Sequence, residues 1–203
     1  MNKVTRLIVS GSALALAAGT LAGCTINIGV PGADSDRRQH GMMDSQQNSA
    51  GFSKQDLMFA QMMIPHHEQA VEMSTLAETR STNPEVLALA KQIKAAQQPE
   101  IEQMQGWLDA SGVSATEMDM DHMGHGMGGM LSTEQMDAME NASGAAFDKL
   151  YLEGMIEHHE GAIQMAHMIT DSSNTEAREL GDAIVKTQTA EIAKMKQLLT
   201  TLA

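Results

Sequence analysis

The chain has 203 residues, with 26 acidic and 13 basic side chains and a formal net charge of −13 at pH 7. Such a negative surface repels nucleic acid and anionic lipid, so neither is expected as a partner. Aromatic residues are only 2% of the chain and strand signals are nearly absent. This composition predicts an all-α protein whose core consists of Leu, Ile, Ala and Met.

Residues 1–23 resemble a bacterial lipoprotein signal peptide. A positive start precedes an apolar segment that is too short to span a bilayer comfortably, and the sequence Leu21-Ala22-Gly23-Cys24 follows. The resemblance implies cleavage before Cys24, a lipid on this cysteine, and an extracytoplasmic protein anchored to the bacterial membrane through the lipid alone. An ordinary secretory signal with a chance cysteine is the alternative. Residues 24–52, rich in Gly, Ser, Asp and Gln, are predicted to form a flexible tether.

The remaining chain, residues 53–203, carries signals for the starts and ends of helices. A serine or asparagine at the N-cap, an acid or amide in the first turn, and a glycine after the last turn are typical of helix ends. These signals predict helix starts at Ser53, Asn83 and Ser132, and helix ends near Thr79 and Ser111. The short helix after Ser132 leads through Ser143-Gly144 into the second repeat.

One helical pattern occurs twice, in residues 53–111 and 144–202, and a connector at 113–131 joins the copies. In each copy Met, His-His and Met recur at helical spacing, and Gln-x-x-Glu-Ile-x-x-Met follows on the next helix. A repeat on this scale predicts two helical hairpins, which pack most simply as a four-helix bundle.

The inward faces of both copies concentrate imidazole and thioether side chains. Soft sulfur beside imidazole suits copper, above all Cu(I), better than magnesium or calcium. The candidate metal ligands on the helices are Met63, His66, His67, Met73, Met104, Met155, His158, His159, Met165 and Met195. A methionine stripe at this spacing is also typical of core packing, so filling of the interior is the alternative for the thioethers.

Buried histidines need hydrogen-bond partners, which polar residues at the same helical spacing could supply. The candidates are Asp56, Gln97, Glu100, Asp148, Gln188 and Glu191. Two interpretations of the interior therefore stay open. It is either a satisfied polar network, or a metal site in which the acids and amides orient the imidazoles.

The connector has an unusual composition, MDMDHMGHGMGGM at residues 118–130. Cu(I) accepts soft ligands in irregular geometry, so such a segment could wrap the ion without a rigid scaffold. The candidate ligands here are Met118, Met120, His122, Met123, His125, Met127 and Met130. A glycine-rich linker with incidental methionines is the alternative, but packing explains methionine poorly in so polar a stretch.

The sequence lacks the common signatures of an enzyme. A zincin helix needs His-Glu-x-x-His, but Val71 and Ile163 stand at the position of the second histidine. A di-iron carboxylate protein needs Glu-x-x-His, but Met63 and Met155 stand at the position of the glutamate. No enzymatic activity is predicted, and a redox enzyme that uses bound copper or iron is the weaker alternative.

Together these motifs resemble the DUF305 family, typified by copper-binding periplasmic proteins of the copper-resistance type. The second copy carries the pattern from Phe147 to Met195, and the first copy matches from Asp56 to Met104. The resemblance covers about residues 53–202 and is specific in both copies. It implies a ferritin-like four-helix bundle that binds copper outside the cytoplasm.

The predicted function is therefore to bind copper as Cu(I) or Cu(II), and to sequester it or pass it on in copper tolerance. A copper exporter or a copper oxidase is the candidate protein partner. The alternative from another class is a membrane-tethered interaction module, in which the polar His/Glu/Gln core fixes the register of the helices and the surface docks a protein.

Overall fold

The computed structural model describes residues 50–115 and 128–202. Within these two ranges the chain forms four long helices, one short helix and no strand, so the all-α prediction is confirmed. The helices are α1 (Lys54–Arg80), α2 (Pro84–Ser111), α3 (Thr133–Asn141), α4 (Gly144–Ala166) and α5 (Thr175–Leu202). Of the helices in this described part, none is long and apolar enough to cross a membrane. The predicted signal peptide, the tether up to residue 49 and connector residues 116–127 lie outside it.

The helices begin and end where short-range polar signals satisfy their terminal backbone groups. Ser53 and Asp56 form a reciprocal capping box at the start of α1, and Ser132 and Gln135 form another at the start of α3. Each such cap stabilises its helix by about 1 kcal/mol. At the end of α2, Gly112 takes a left-handed conformation with φ 65°, which a residue with a side chain adopts less easily.

The two repeats correspond to two helical hairpins. Helix α1 packs along α2, and α4 packs along α5. The hairpins meet chiefly through α1 and α4, whereas α2 and α5 touch each other far less, and the short α3 lies mainly on α4. The first helices of the two repeats therefore form the centre of the molecule, and their facing side chains come together.

The apolar core consists of two clusters, and both central helices contribute to each. Along the chain, α1 reaches the first cluster before the second, whereas α4 reaches the second before the first. Helix α1 contributes Phe59–Ile64 to the first cluster and Ala70–Ala77 to the second, whereas α4 contributes Phe147–Met155 to the second and Ala162–Ala166 to the first. Burying each large side chain contributes about 1.5–3 kcal/mol. The sequence between these stretches contains His-His followed by Glu in both helices, so a polar layer separates the two clusters.

Candidate functional site

Four buried imidazoles form the polar layer, which we call the histidine layer: His66, His67, His158 and His159. All four side chains are 0% exposed. The rings of His66 and His158 are in contact and tilted, with centroids 3.7 Å apart and planes at 40°. These two residues occupy equivalent positions in the two repeats. The pair therefore forms where the halves of the molecule meet.

A carboxylate from the neighbouring helix braces the other histidine of each repeat. Nε2 of His67 lies 2.7 Å from Oε2 of Glu100, and Nε2 of His159 lies 2.8 Å from Oε2 of Glu191. The two pairs differ in exposure, because the side chain of Glu100 is 18% exposed and that of Glu191 only 4%. Glu191 also accepts a hydrogen bond of 3.1 Å from Nε2 of Gln92.

The other four polar side chains predicted as partners occupy different surroundings. Oδ2 of Asp56 accepts a 2.8 Å hydrogen bond from the backbone of Ser53, as part of the α1 cap. Oδ1 of Asp148 accepts a 2.5 Å hydrogen bond from the hydroxyl of Ser81. Both side-chain polar atoms of Gln97 and of Gln188 are buried and lack a partner among the described residues. Glu100 and Glu191 are thus the two acids found on the imidazoles.

The histidine layer contains ring nitrogens that have no hydrogen-bond partner. Within residues 50–115 and 128–202, these are Nδ1 of His66, His67, His158 and His159, together with Nε2 of His158. A carboxylate on Nε2 accepts a hydrogen bond there, so the lone pair of a neutral ring of His67 or His159 lies on Nδ1. A buried lone pair without a donor is available to a metal ion, and a carboxylate on the far nitrogen is the arrangement that orients such a ring in metal sites.

Burial keeps the central histidine pair neutral. Burial, and then the nearby His67, lower the pKa of His66 from 6.5 to about 3, and the carbonyl of Gly128 opposes the shift. Burial and then the neighbouring His66 lower the pKa of His158 well below its ordinary value. The backbone of His66 raises this second pKa slightly without reaching hydrogen-bond geometry. Neutral imidazole is the form that binds metal, so no proton has to leave at pH 7.

The six helical methionines predicted as ligands are buried and flank the histidine layer, three in each apolar cluster. Of these six, Met63, Met104 and Met165 belong to the first cluster, and Met155, Met195 and Met73 belong to the second. Exchanging the two repeats converts one set into the other, so each set takes two thioethers from one repeat and one from its partner. Each of these side chains packs in hydrocarbon, as the core interpretation requires. The imidazoles, in contrast, are not fully satisfied by the surrounding polar groups.

The donor set fits a soft metal better than a hard one. Among the residues that the structure describes, no three His, Cys, Asp or Glu side chains converge as a ready metal cluster. Hard cations such as calcium need six to eight oxygen ligands, whereas Cu(I) accepts a few imidazole and thioether ligands. Unpaired Nδ1 atoms between two sets of thioethers are the kind of ligands that Cu(I) accepts.

Of the connector residues predicted as ligands, only Met130 lies in the described part, and it is half-buried. Cys24 and the other six lie outside it: Met118, Met120, His122, Met123, His125 and Met127. Sequence reasoning missed the segment Gly128–Leu131, whose Gly128 carbonyl lies 3.3 Å from Nε2 of His66. The sequence did carry a signal for this contact. The two repeats match closely around the histidines, but one equivalent position at which they differ is Gln69 in the first repeat and Gly161 in the second. Both residues contact this segment.

The fold and the site define an all-α protein built from two copies of a helical hairpin, with buried imidazoles between thioether-bearing clusters. The model of the DUF305 family, described as a domain of unknown function, matches residues 56–199, and the chain belongs to this family. Comparison with curated protein sequences gives no match.

Solved structures of DUF305 proteins and of CopM are similar to this chain. A Streptomyces coelicolor protein is 34% identical with a TM-score of 0.69, covering 73% of this chain and 93% of its own. A Deinococcus radiodurans fragment is 29% identical with a TM-score of 0.67, covering 73% and 97%. CopM in its Cu(II)-bound form is 35% identical with a TM-score of 0.62, covering 73% and 97%. CopM is also known in Cu(I)-bound, Ag-bound and apo forms.

Proposed function

We propose that this protein binds copper, with Cu(I) favoured, and sequesters it or passes it on without catalysing a reaction. One observation carries the proposal. Neutral imidazoles are buried at the centre of the molecule with Nδ1 atoms that have no partner in the described part of the chain, between two sets of thioethers. The similarity to CopM, which has Cu(I)-bound and Cu(II)-bound forms, supports copper as the metal.

The histidine layer would supply the nitrogen ligands, and the flanking methionines would supply sulfur. Bound copper would gain its stability from soft thioether and borderline imidazole donors, which suit Cu(I). Glu100 and Glu191 hold the rings of His67 and His159 in one orientation and tautomer. The apolar clusters exclude water from both sides, which disfavours hydrated cations such as Mg²⁺.

We also propose that the connector captures copper before it reaches the interior. Its candidate ligands adjoin Gly128, and Gly128 contacts His66, so the end of the connector lies at the histidine layer.

The two hairpins would form a ferritin-like four-helix bundle, with repeats at about 53–111 and 144–202. A copper exporter or copper oxidase would be the partner that delivers or receives the ion.

The place of action in this proposal is outside the cytoplasm. Residues 1–23 would be a lipoprotein signal peptide, Cys24 would carry the lipid anchor, and residues 24–52 would tether the helical domain, 53–203, to the membrane. The similar Streptomyces coelicolor protein is described as secreted, which supports this location. Membrane contact would be through the lipid alone.

The test is competition for Cu(I) between the purified protein and a chromophoric Cu(I) chelator. We expect stoichiometric uptake, a loss of capacity when the five connector methionines become Leu, and a further loss in the double variant His66→Ala/His158→Ala. Two matched controls are Met168→Leu and His167→Ala, since Met168 is half-buried and His167 exposed. If the unaltered protein leaves the chelator's copper in place, the proposal is wrong.

An interaction module remains the second candidate, because two imidazoles already pair with acids and all six helical methionines predicted as ligands pack in hydrocarbon. This alternative predicts a melting temperature that does not respond to copper. The copper-binding proposal predicts a rise, since a ligand that binds only the folded state at one hundred times its Kd adds about 2.7 kcal/mol. Thermal denaturation with and without Cu(I) separates the two.

A further inference from the structure

The segment Gly128–Leu131, which we call the strap, is fastened across the histidine layer by both central helices. The side-chain amide of Gln69 on α1 forms two hydrogen bonds with the backbone of Leu131. Its Nε2 donates to the carbonyl at 3.0 Å, and its Oε1 accepts from the N–H at 2.8 Å. This pair of hydrogen bonds fixes one end of the strap, just before the N-cap of α3.

The other end of the strap lies directly on α4 at Gly161. A Cβ added to Gly161 would lie 1.7 Å from the carbonyl oxygen of Gly128 and 2.9 Å from Cα of Gly129. Gly129 itself has φ +90°, and a Cβ there would lie 2.5 Å from the carbonyl oxygen of Glu157. Side chains are thus excluded on both sides of this contact, which only glycine permits.

The Gly128 carbonyl occupies the same position relative to the ring of His66 as each carboxylate does relative to the ring of its own histidine. Nε2 of His66 lies 3.3 Å from the Gly128 oxygen, just as Nε2 of His67 and of His159 faces an acid. In all three rings Nδ1 is left without a partner among the described residues. A carbonyl can only accept, so the contact selects the Nε2–H tautomer and places the lone pair of His66 on Nδ1.

We propose that the strap is a positioning element for the metal site and that Gly128 does for His66 what Glu100 does for His67. This inference rests on the proposed copper binding. A docked strap holds His66 with a lone pair on Nδ1, ready for the ion. Metal on Nδ1 makes the Nε2–H a better donor to the carbonyl, and coupling is reciprocal. Metal binding therefore tightens the strap, and a loosened strap weakens metal binding.

Gly161→Ala is the variant that tests this positioning role. Alanine favours the helix by about 1 kcal/mol over glycine, so α4 should persist while the Cβ displaces Gly128. The matched control is Gly106→Ala, a helical glycine with no described atom within 4 Å of an added Cβ. In the metal-free protein we expect Gly161→Ala to speed hydrogen exchange of the Leu131 amide. Imidazole ¹⁵N NMR should then report a tautomer mixture for His66, and Gly106→Ala should change neither.

Binding of Ag⁺, a redox-inert probe for Cu(I), tests the coupling to metal. We expect Ag⁺ to slow hydrogen exchange across Gly128–Leu131 in the unaltered protein, and Gly161→Ala to weaken Ag⁺ binding by about 10–100-fold, the usual effect of losing an orienting partner. Faster exchange with Ag⁺ would mean that strap and metal compete for His66, which overturns the inference. Uptake of Ag⁺ with no change in the strap also overturns it, and leaves the proposed function intact. No uptake by any form refutes the proposed function itself.

A second variant guards against misfolding of Gly161→Ala. Gln69→Ala removes both hydrogen bonds to Leu131 without adding volume. Its control is Gln164→Ala, an exposed glutamine on α4. The same changes in exchange, His66 tautomer and Ag⁺ affinity are expected, and Gln69→Glu should restore little of them because a carboxylate cannot donate to the Leu131 carbonyl. Unchanged values in Gln69→Ala would refute the positioning role.

Discussion

Replacing His158 by leucine should stabilise the metal-free protein, although the substitution removes a fully buried side chain. Both ring nitrogens of His158 lack a partner among the described residues. An unpaired buried polar group is destabilising by about 1–3 kcal/mol. Leucine has a similar volume and introduces no polar atom, while the substitution removes the ring contact with His66, whose centroid lies 3.7 Å away. We expect a net gain of about 1–2 kcal/mol.

The neighbouring substitution His159→Leu should have the opposite sign. It leaves Glu191, whose side chain is 4% exposed, without its 2.8 Å partner. Removing one member of a buried pair is destabilising by about 3 kcal/mol, because the remaining carboxylate stays buried with only the hydrogen bond from Gln92. The two substitutions are chemically identical and adjacent, so their difference isolates the hydrogen-bond partner.

Urea denaturation of the metal-free variants, followed by circular dichroism, measures both effects. In thermal denaturation, the same gain of 1 kcal/mol in the free energy of unfolding corresponds to a rise of about 2–4 °C in melting temperature for a chain of this size. The same His158→Leu variant should bind Cu(I) more weakly than the unaltered protein, because it has one nitrogen ligand fewer. A drop in stability in His158→Leu equal to that in His159→Leu would refute the reasoning, since it would mean that both rings are structural.

Three further predictions concern groups around the same interior. Glu191→Ala should lower stability by about 2–3 kcal/mol and Glu100→Ala by about 1 kcal/mol in urea denaturation, since water can reach only the more exposed site. Equal effects would contradict the difference in burial. Because the pKa of His66 is lowered to about 3, the unfolded chain takes up a proton first as the pH falls. The contribution of His66 to the free energy of unfolding is complete above pH 6.5 and declines as the pH falls toward 3; at pH 5 the loss is about 2 kcal/mol. The free energies of unfolding at pH 7 and pH 5 should therefore differ less in a His66→Ala variant. Ser81→Ala removes the 2.5 Å hydrogen bond to Asp148. It should be destabilising by about 2 kcal/mol, and Ser81→Thr, which keeps a hydroxyl donor, should restore most of that stability.

The helices could be predicted from the sequence because their ends depend on nearby residues. Ser53 and Asp56, three positions apart, form the expected cap, and Gly112 ends α2 as a glycine after the last turn should. The duplicated pattern also identified which residues would occupy equivalent places. Short sequence separation and repetition are properties that a single sequence displays directly.

The partners of the imidazoles could not be predicted in the same way. Asp56 and Glu100 were equivalent candidates by spacing, but the choice depends on how α1 packs on α2, and this packing places Glu100 on His67. The strap joins Gly128 to Gly161 and His66 at long separations in the chain. A contact between backbone and glycine leaves no hydrophobic period, so the only sequence signal was the difference between the repeats at Gln69 and Gly161.

The interior combines side chains from both copies of the hairpin. Neither hairpin alone contains the central imidazole pair, because His66 and His158 come from different repeats. Each set of three predicted methionine ligands likewise draws on both. The strap then breaks this symmetry, since its carbonyl faces His66 and no described residue pairs with either ring nitrogen of His158. One ring of the pair is held in a single tautomer while the other keeps both nitrogens uncommitted. A pair of one fixed and one uncommitted imidazole can bind an ion without first breaking a hydrogen bond on His158, which suits the uptake and release of copper proposed above.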